Sequence, residues 1–161
     1  MTNSTDIAKI LNLNGGELVG KTRLQKTFYF LERLGIGFGY DFQYYHYGPY
    51  SEELTISAQD SVALGFVNHD KRVGTRSQLY SVFQSLLKDE RDPLDASRKH
   101  ALKILAGYDP ISLELAATAD FLESAGYGLD AWSETAVRKS SKATPERIEK
   151  AKKLLSDLQG L

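Results

Sequence analysis

Up to Leu34 the apolar positions follow helical spacing twice. Ile7, Ile10 and Leu11 form a short stripe after Ser4, Thr5 and Asp6, any of which can cap a helix that ends near Asn14-Gly15. A second helix starts near Lys21 or Thr22. Leu24, Phe28 and Leu31 lie at i, i+4 and i+7, and Thr27, Phe30 and Leu34 widen that face. The same periodicity puts Thr22, Lys26, Tyr29 and Arg33 on the opposite, solvent side, until Gly35, Gly37 and Gly39 break the helix.

The period then changes. The aromatic run from Tyr40 to Tyr47 alternates as a strand, with Phe42, Tyr44 and His46 on one face. Gly48-Pro49 is expected to stop its ladder, because proline has no N–H to donate. Ser51 caps a third helix with Glu52 and Glu53 in its first turn, ending near Leu64-Gly65. Phe66-Val67 and Leu79 to Phe83 flank a polar, glycine-containing loop and read as a hairpin. Pro93 breaks a charged linker. Helices follow at about Asp95 to Leu105, Asp109 to Ser124, Ala131 to Val137, and from Thr144-Pro145 to Gly160. The fold class expected is mainly α with a small antiparallel β-sheet (α+β). A winged-helix-like core with its β-hairpin spans 1–88, and a helical C-terminal part, 89–161, packs on it as one unit.

With 161 residues, 42% hydrophobic and 25% charged, the chain suits one domain with a real core. A net charge of -1 supplies no global pull toward nucleic acid or membrane. There is no cysteine, hence no disulfide or thiolate site, and neither a signal-peptide pattern nor a membrane-length apolar run is visible. The expected localisation is cytoplasmic. Charge is uneven along the C-terminal part. Asp109 to Glu134 holds six acids and no Lys or Arg, while Arg138 to Lys153 holds seven bases against Glu146 and Glu149. Neighbouring helices that attract one another explain this better than a basic tail does. The Glu146–Lys150 and Glu149–Lys153 spacings suggest pairs within the last helix.

Candidate chemistry is sparse. GGELVGKT, Gly15 to Thr22, matches a phosphate-binding loop, but DIAKILNLN before it is a poor buried strand and no strand–helix alternation follows. A helix end and a short loop into the next helix explain it better. His46, His69 and His100 fall on different elements without metal-ligand spacing, and no nucleophile motif occurs. No catalytic residue, cofactor or metal is expected, and the chain is read as not an enzyme. A DNA-binding winged-helix regulator is the alternative. Lys71, Arg72 and Arg76 on the hairpin would touch phosphate, but the third helix carries acids and no base, so DNA contact is expected to be weak or absent.

RLQKTFYFLE (Arg23 to Glu32) followed by YYHYGPYSEEL (Tyr44 to Leu54) resembles the uncharacterised YwgA-like prokaryotic proteins, and more remotely the Panacea antitoxin domain. The matching positions are Leu24, Gln25, Lys26, Tyr47, Gly48 and Pro49, and the tail from Leu113 onward also looks YwgA-like. The resemblance implies a non-catalytic module that binds another protein, a toxin or a phage-defence effector. Self-association is open, and no membrane is involved. The partner face expected is Lys26, Tyr29, Arg33, Tyr47 and Tyr50, residue types that anchor interfaces. Whether Tyr47-Gly48-Pro49 serves that face or only shapes a turn is left open by the sequence.

Overall fold

The computed structural model describes residues 2–46 and 48–161. Tyr47, one of the five residues expected to bind a partner, lies outside the described residues. The elements run α1 (Asp6–Leu13), β1 (Glu17–Val19), α2 (Lys21–Arg33), β2 (Gln43–Tyr45), β3 (Gly48–Tyr50), α3 (Glu52–Ala63), β4 (Val67–Val73) and β5 (Leu79–Ser85). Then come α4 (Asp95–Ala106), α5 (Pro110–Leu122), two short helical turns over Glu123–Tyr127 and Gly128–Asp130, α6 (Ala131–Arg138) and α7 (Pro145–Gln159). The chain is therefore mostly helical with a small antiparallel sheet, and its C-terminal part is helical, as the periodicity implies. None of the described helices is long and apolar enough to cross a membrane.

Two caps behave as their residues dictate. The Ser51 hydroxyl accepts the Leu54 N–H at 3.1 Å, and the Thr144 hydroxyl accepts the Arg147 N–H at 3.3 Å. β4 and β5 form the hairpin, and β1 joins its other edge to give the order β1-β5-β4. β1 is the element the pattern does not reveal, because three residues cannot establish a period. It also settles the geometry of the GGELVGKT stretch. Gly15 and Gly16 take positive φ at the end of α1, Leu18 pairs with Phe83, and Gly20 starts α2 while donating to the Ser81 carbonyl at 2.8 Å. A strand lies between the glycine pair and Lys21, where a phosphate-binding loop would need a free cradle of N–H groups.

The aromatic run also differs from its reading. Among its described residues only Gln43–Tyr45 is a strand, and Gly48-Pro49 does not stop its ladder but forms the partner strand, with Tyr44 opposite Pro49. A two-stranded ribbon needs few ladder donors, so proline is tolerated there.

Two buried clusters share α2. Leu24, Phe28 and Leu31 pack with Ile7, Leu11, Leu54 and Phe83, whereas Tyr29 and Phe30 pack with Leu105, Leu113, Leu115 and Leu154. The helix is walled on both sides, and every residue from Leu24 to Leu31 is buried. α4 straddles the same divide, with Leu102 in the first cluster and Leu105 in the second.

Candidate functional site

The burial of α2 takes Lys26 and Tyr29 out of the expected partner face. Lys26 is 1% exposed and Tyr29 is 3% exposed. Helical periodicity put them on a solvent side, but α5 covers that side. Their polar atoms are consumed internally, as are most others in RLQKTFYFLE. Arg23 donates to the Leu105 and Tyr108 carbonyls at 3.0 and 2.6 Å. The Gln25 amide grips the Ser51 backbone from both ends, accepting its N–H at 2.8 Å and donating to its carbonyl at 3.0 Å. Lys26 Nζ donates to the Pro49 carbonyl at 2.8 Å. Glu32 Oε1 accepts the N–H groups of Phe38, Gly39 and Tyr40 at 2.7 to 3.1 Å. The Asp120 carboxylate accepts from the Tyr29 hydroxyl at 2.5 Å and Arg33 Nε at 2.7 Å. Burial and that carboxylate hold the Tyr29 phenol well above its ordinary pKa.

Arg33 and Tyr50 do reach the surface, but apart. Arg33 pairs with Asp120 on α5, whereas Tyr50 lies toward α3, its hydroxyl 2.5 Å from Thr55 Oγ1. The Gln-Lys and Gly-Pro motifs thus touch one another through Gln25–Ser51 and Lys26–Pro49. Gly48 has a φ of +88°, and a Cβ there would sit 2.4 Å from Thr118 Oγ1 on α5. For Gly48-Pro49 the structural role is direct: the turn is seated on α5 and clamped by α2.

Beneath this turn lies a buried charge cluster that the motif reading missed. Glu114 on α5, 3% exposed, receives Lys142 Nζ at 3.1 Å on both oxygens, with Lys139 Nζ at 3.6 Å. Lys139 also donates to the His46 carbonyl at 2.5 Å. The signal for it was the acid-rich stretch followed by the base-rich one. Those segments do attract across elements, and Lys150 likewise lies 3.7 Å from Asp109. The expected pairs within α7 are not the ones formed among the described residues, where Glu149 lies 3.9 Å from Lys152.

Desolvation brings Lys26 down to about 8; Glu114 opposes the shift, and Lys139 and Lys142 reinforce it. Burial lowers Lys139 as well, again against Glu114. A lysine lowered in the folded chain makes protonation costly there. The cost is fully present below about pH 8 and is relieved as pH rises toward 10.5, where the unfolded chain still holds the proton. Lys26→Met has no such slope. Urea unfolding of both proteins should show wild type gaining about 2 kcal/mol on the variant between roughly pH 7 and pH 10. Parallel pH profiles would mean that Lys26 does not titrate in this range.

The outward side of the same region is aromatic. The Arg138 guanidinium lies 4.8 Å from the Tyr44 ring centre and 5.4 Å from that of Tyr127. It is held by Glu134 at 2.7 Å and donates to the Tyr127 hydroxyl at 2.9 Å. Tyr44, Tyr45, His46 and Arg138 line a shallow depression of about 560 Å³. Tyr45 is 46% exposed and meets Tyr50 edge-on at 5.2 Å. Leu129 and Val137, beside Tyr127 and Arg138 in sequence, are exposed too. On the hairpin, Lys71, Arg72 and Arg76 are exposed, and Arg72 lies 3.5 Å from Asp70. The exposed positions of α3 include Glu52, Glu53 and Asp60.

No family model matches the chain. It is similar to the uncharacterized protein YwgA of Bacillus subtilis (strain 168), at 32% identity over 82 residues covering 48% of this chain and 49% of that protein. The chain thus spans about half the length of the curated relative it matches.

Proposed function

We propose that this chain is a non-catalytic, cytoplasmic protein-interaction module whose partner docks on the Tyr44–Tyr45–Arg138–Tyr127 ledge. The observation that carries the reading is Arg138, fixed between two tyrosine rings beside a half-exposed Tyr45. Tyr and Arg dominate interface energetics, and side chains already ordered cost less to dock. Glu123 and Asp130 are exposed on the neighbouring acid-only segment, so a basic partner surface is the complement. The resemblance to the Panacea domain supports an antitoxin or phage-defence role, with a toxin or defence effector as partner. Its residues Leu24, Gln25, Lys26, Gly48 and Pro49 build the scaffold under the ledge and are not the contact itself.

The test compares wild type with Tyr45→Ala and Arg138→Ala in affinity capture from the native extract, with melting curves for each protein. One ledge substitution should weaken the captured partner by about 2 kcal/mol, roughly 30-fold, at unchanged melting temperature. Equal recovery with folded variants would overturn the reading. The alternative, a DNA-binding regulator using Lys71, Arg72 and Arg76, is favoured only by hairpin charge. Tight, salt-resistant binding to the gene's own upstream DNA would put it first.

A further inference from the structure

A groove lies away from the ledge, between the start of α2, α3 and the face of the β4–β5 hairpin. It holds about 470 Å³, within the range of small-molecule sites. Its floor is apolar, with Leu24, Ala58 and Phe83 meeting Val62 from α3. Its rim is cationic, with Lys21 from α2 and Lys71 from β4. No acid lines it, in a chain whose acids outnumber its Lys and Arg by 21 to 20. Among the described residues neither Lys21 nor Lys71 has a carboxylate partner, whereas Arg72, beside Lys71, lies 3.5 Å from Asp70.

We propose that this groove binds a small organic anion, its apolar body on Leu24, Val62 and Phe83 and its carboxylate or phosphate head between Lys21 and Lys71. Three further observations converge there. Gly20 begins α2 without a side chain to cap it, so the positive end of a thirteen-residue helix is left to other groups. A second groove of about 440 Å³ shares Lys21 and Lys71 and takes in Gly20 and Thr22 from that helix start, leaving room for the head group. His69 stacks on Phe83 at 4.5 Å with its Nε2 2.8 Å from Ser81 Oγ. Burial, then Lys21 and Lys71, push its pKa down, so the imidazole closes the site as a neutral wall while the lysines supply the charge.

The chemistry selects a small ligand over a polyanion. A nucleic-acid strand is disfavoured by an α3 whose exposed positions include Glu52, Glu53 and Asp60, whereas none of these acids lines the groove that a compact anion enters. A bare inorganic ion would leave the apolar floor unused. This site is independent of the proposed partner ledge. Tyr50 nevertheless touches both, lining the groove and meeting Tyr45 edge-on.

The probe is 8-anilinonaphthalene-1-sulfonate, an apolar ring system with one anionic head, titrated by fluorescence near physiological salt. Saturable binding at one site with Kd below about 100 μM is expected. Lys21→Gln combined with Lys71→Gln should weaken it at least about tenfold, since both heads of the anion clamp are lost. Both lysines are exposed, so these variants keep the fold. Val62→Trp, which fills the groove and leaves its charge intact, should also abolish the signal, while Tyr45→Ala on the ledge should not change it. Binding that ignores the lysine and Val62 substitutions, no saturable binding, or displacement of the dye by submicromolar duplex DNA would each overturn the proposal.

Discussion

Replacing Glu114 with glutamine is expected to destabilise the fold by about 3 kcal/mol at neutral pH. Glu114 pairs with both Lys139 and Lys142, and it is the largest influence that favours charge on Lys26. Glutamine keeps the shape and removes the charge. Lys142, about a third exposed, can turn its ammonium to water, but Lys26 and Lys139 cannot without leaving the Pro49 and His46 carbonyls. Lys26 and Lys139 would then lose the carboxylate that offsets their burial, the case in which breaking a buried pair costs most. The loss should shrink as pH rises to about 8 and be small above it, because wild-type Lys26 sheds its proton there and the variant does so earlier once Glu114 is neutral. Urea midpoints at neutral and alkaline pH measure both parts. A change below about 1 kcal/mol at neutral pH, or one that does not vary with pH, would show that the lysines are balanced elsewhere.

That cluster marks where sequence reasoning ran out. Helix positions, the Ser51 and Thr144 caps and the β4–β5 hairpin were legible because each rests on local chemistry: a period, a hydroxyl, a glycine-containing turn. The attraction between the acid-rich and base-rich segments was legible as well, from composition alone. The side on which α2 is open was not. A single helix with Lys26, Tyr29 and Arg33 on one stripe looks amphipathic, and only α5 packing on that stripe makes it internal. Periodicity reports one buried face, and α2 has two. The candidate ledge was hidden for a related reason. Arg138 lies far from Tyr44 in sequence and meets it only because α6 returns beside the β2–β3 ribbon. β1 was missed because a three-residue strand carries too little pattern, and its partner β5 was read as a simple hairpin arm.

The contacts also explain why the Gln-Lys and Gly-Pro motifs appear together. Gln25 reads the Ser51 backbone and Lys26 the Pro49 carbonyl, so the first motif has hydrogen-bonding work only if the second turns the chain in this way. Such a pair specifies the ribbon's position over α5 and hence the placement of Tyr44 and Tyr45. A likeness confined to these motifs is a likeness of scaffold, and partner choice belongs to the side chains the scaffold displays.

Gly48 provides the sharpest test of that scaffold. Gly48→Ala is expected to cost about 3 kcal/mol from two separable sources. One is conformational: φ is +88°, a region where a side chain costs about 1 to 2 kcal/mol. The other is steric, since the new Cβ would lie 2.4 Å from Thr118 Oγ1, on a buried helix with little freedom to retreat. Thr118 makes the second source removable. Its Oγ1 is buried with no hydrogen-bond partner among the described residues, so Thr118→Ala removes an unsatisfied group and opens a small void. Those effects oppose each other, and the single variant should stay within about 1 kcal/mol of wild type. In the double variant the overlap disappears while the φ cost persists. The pair should therefore recover roughly half of the Gly48→Ala loss, a coupling of about 1 to 2 kcal/mol in a double-mutant cycle from urea unfolding. Strict additivity would show that the ribbon does not rest on α5 through this contact. A Gly48→Ala loss below about 1 kcal/mol would show that the turn tolerates a side chain and that Gly48 has another role.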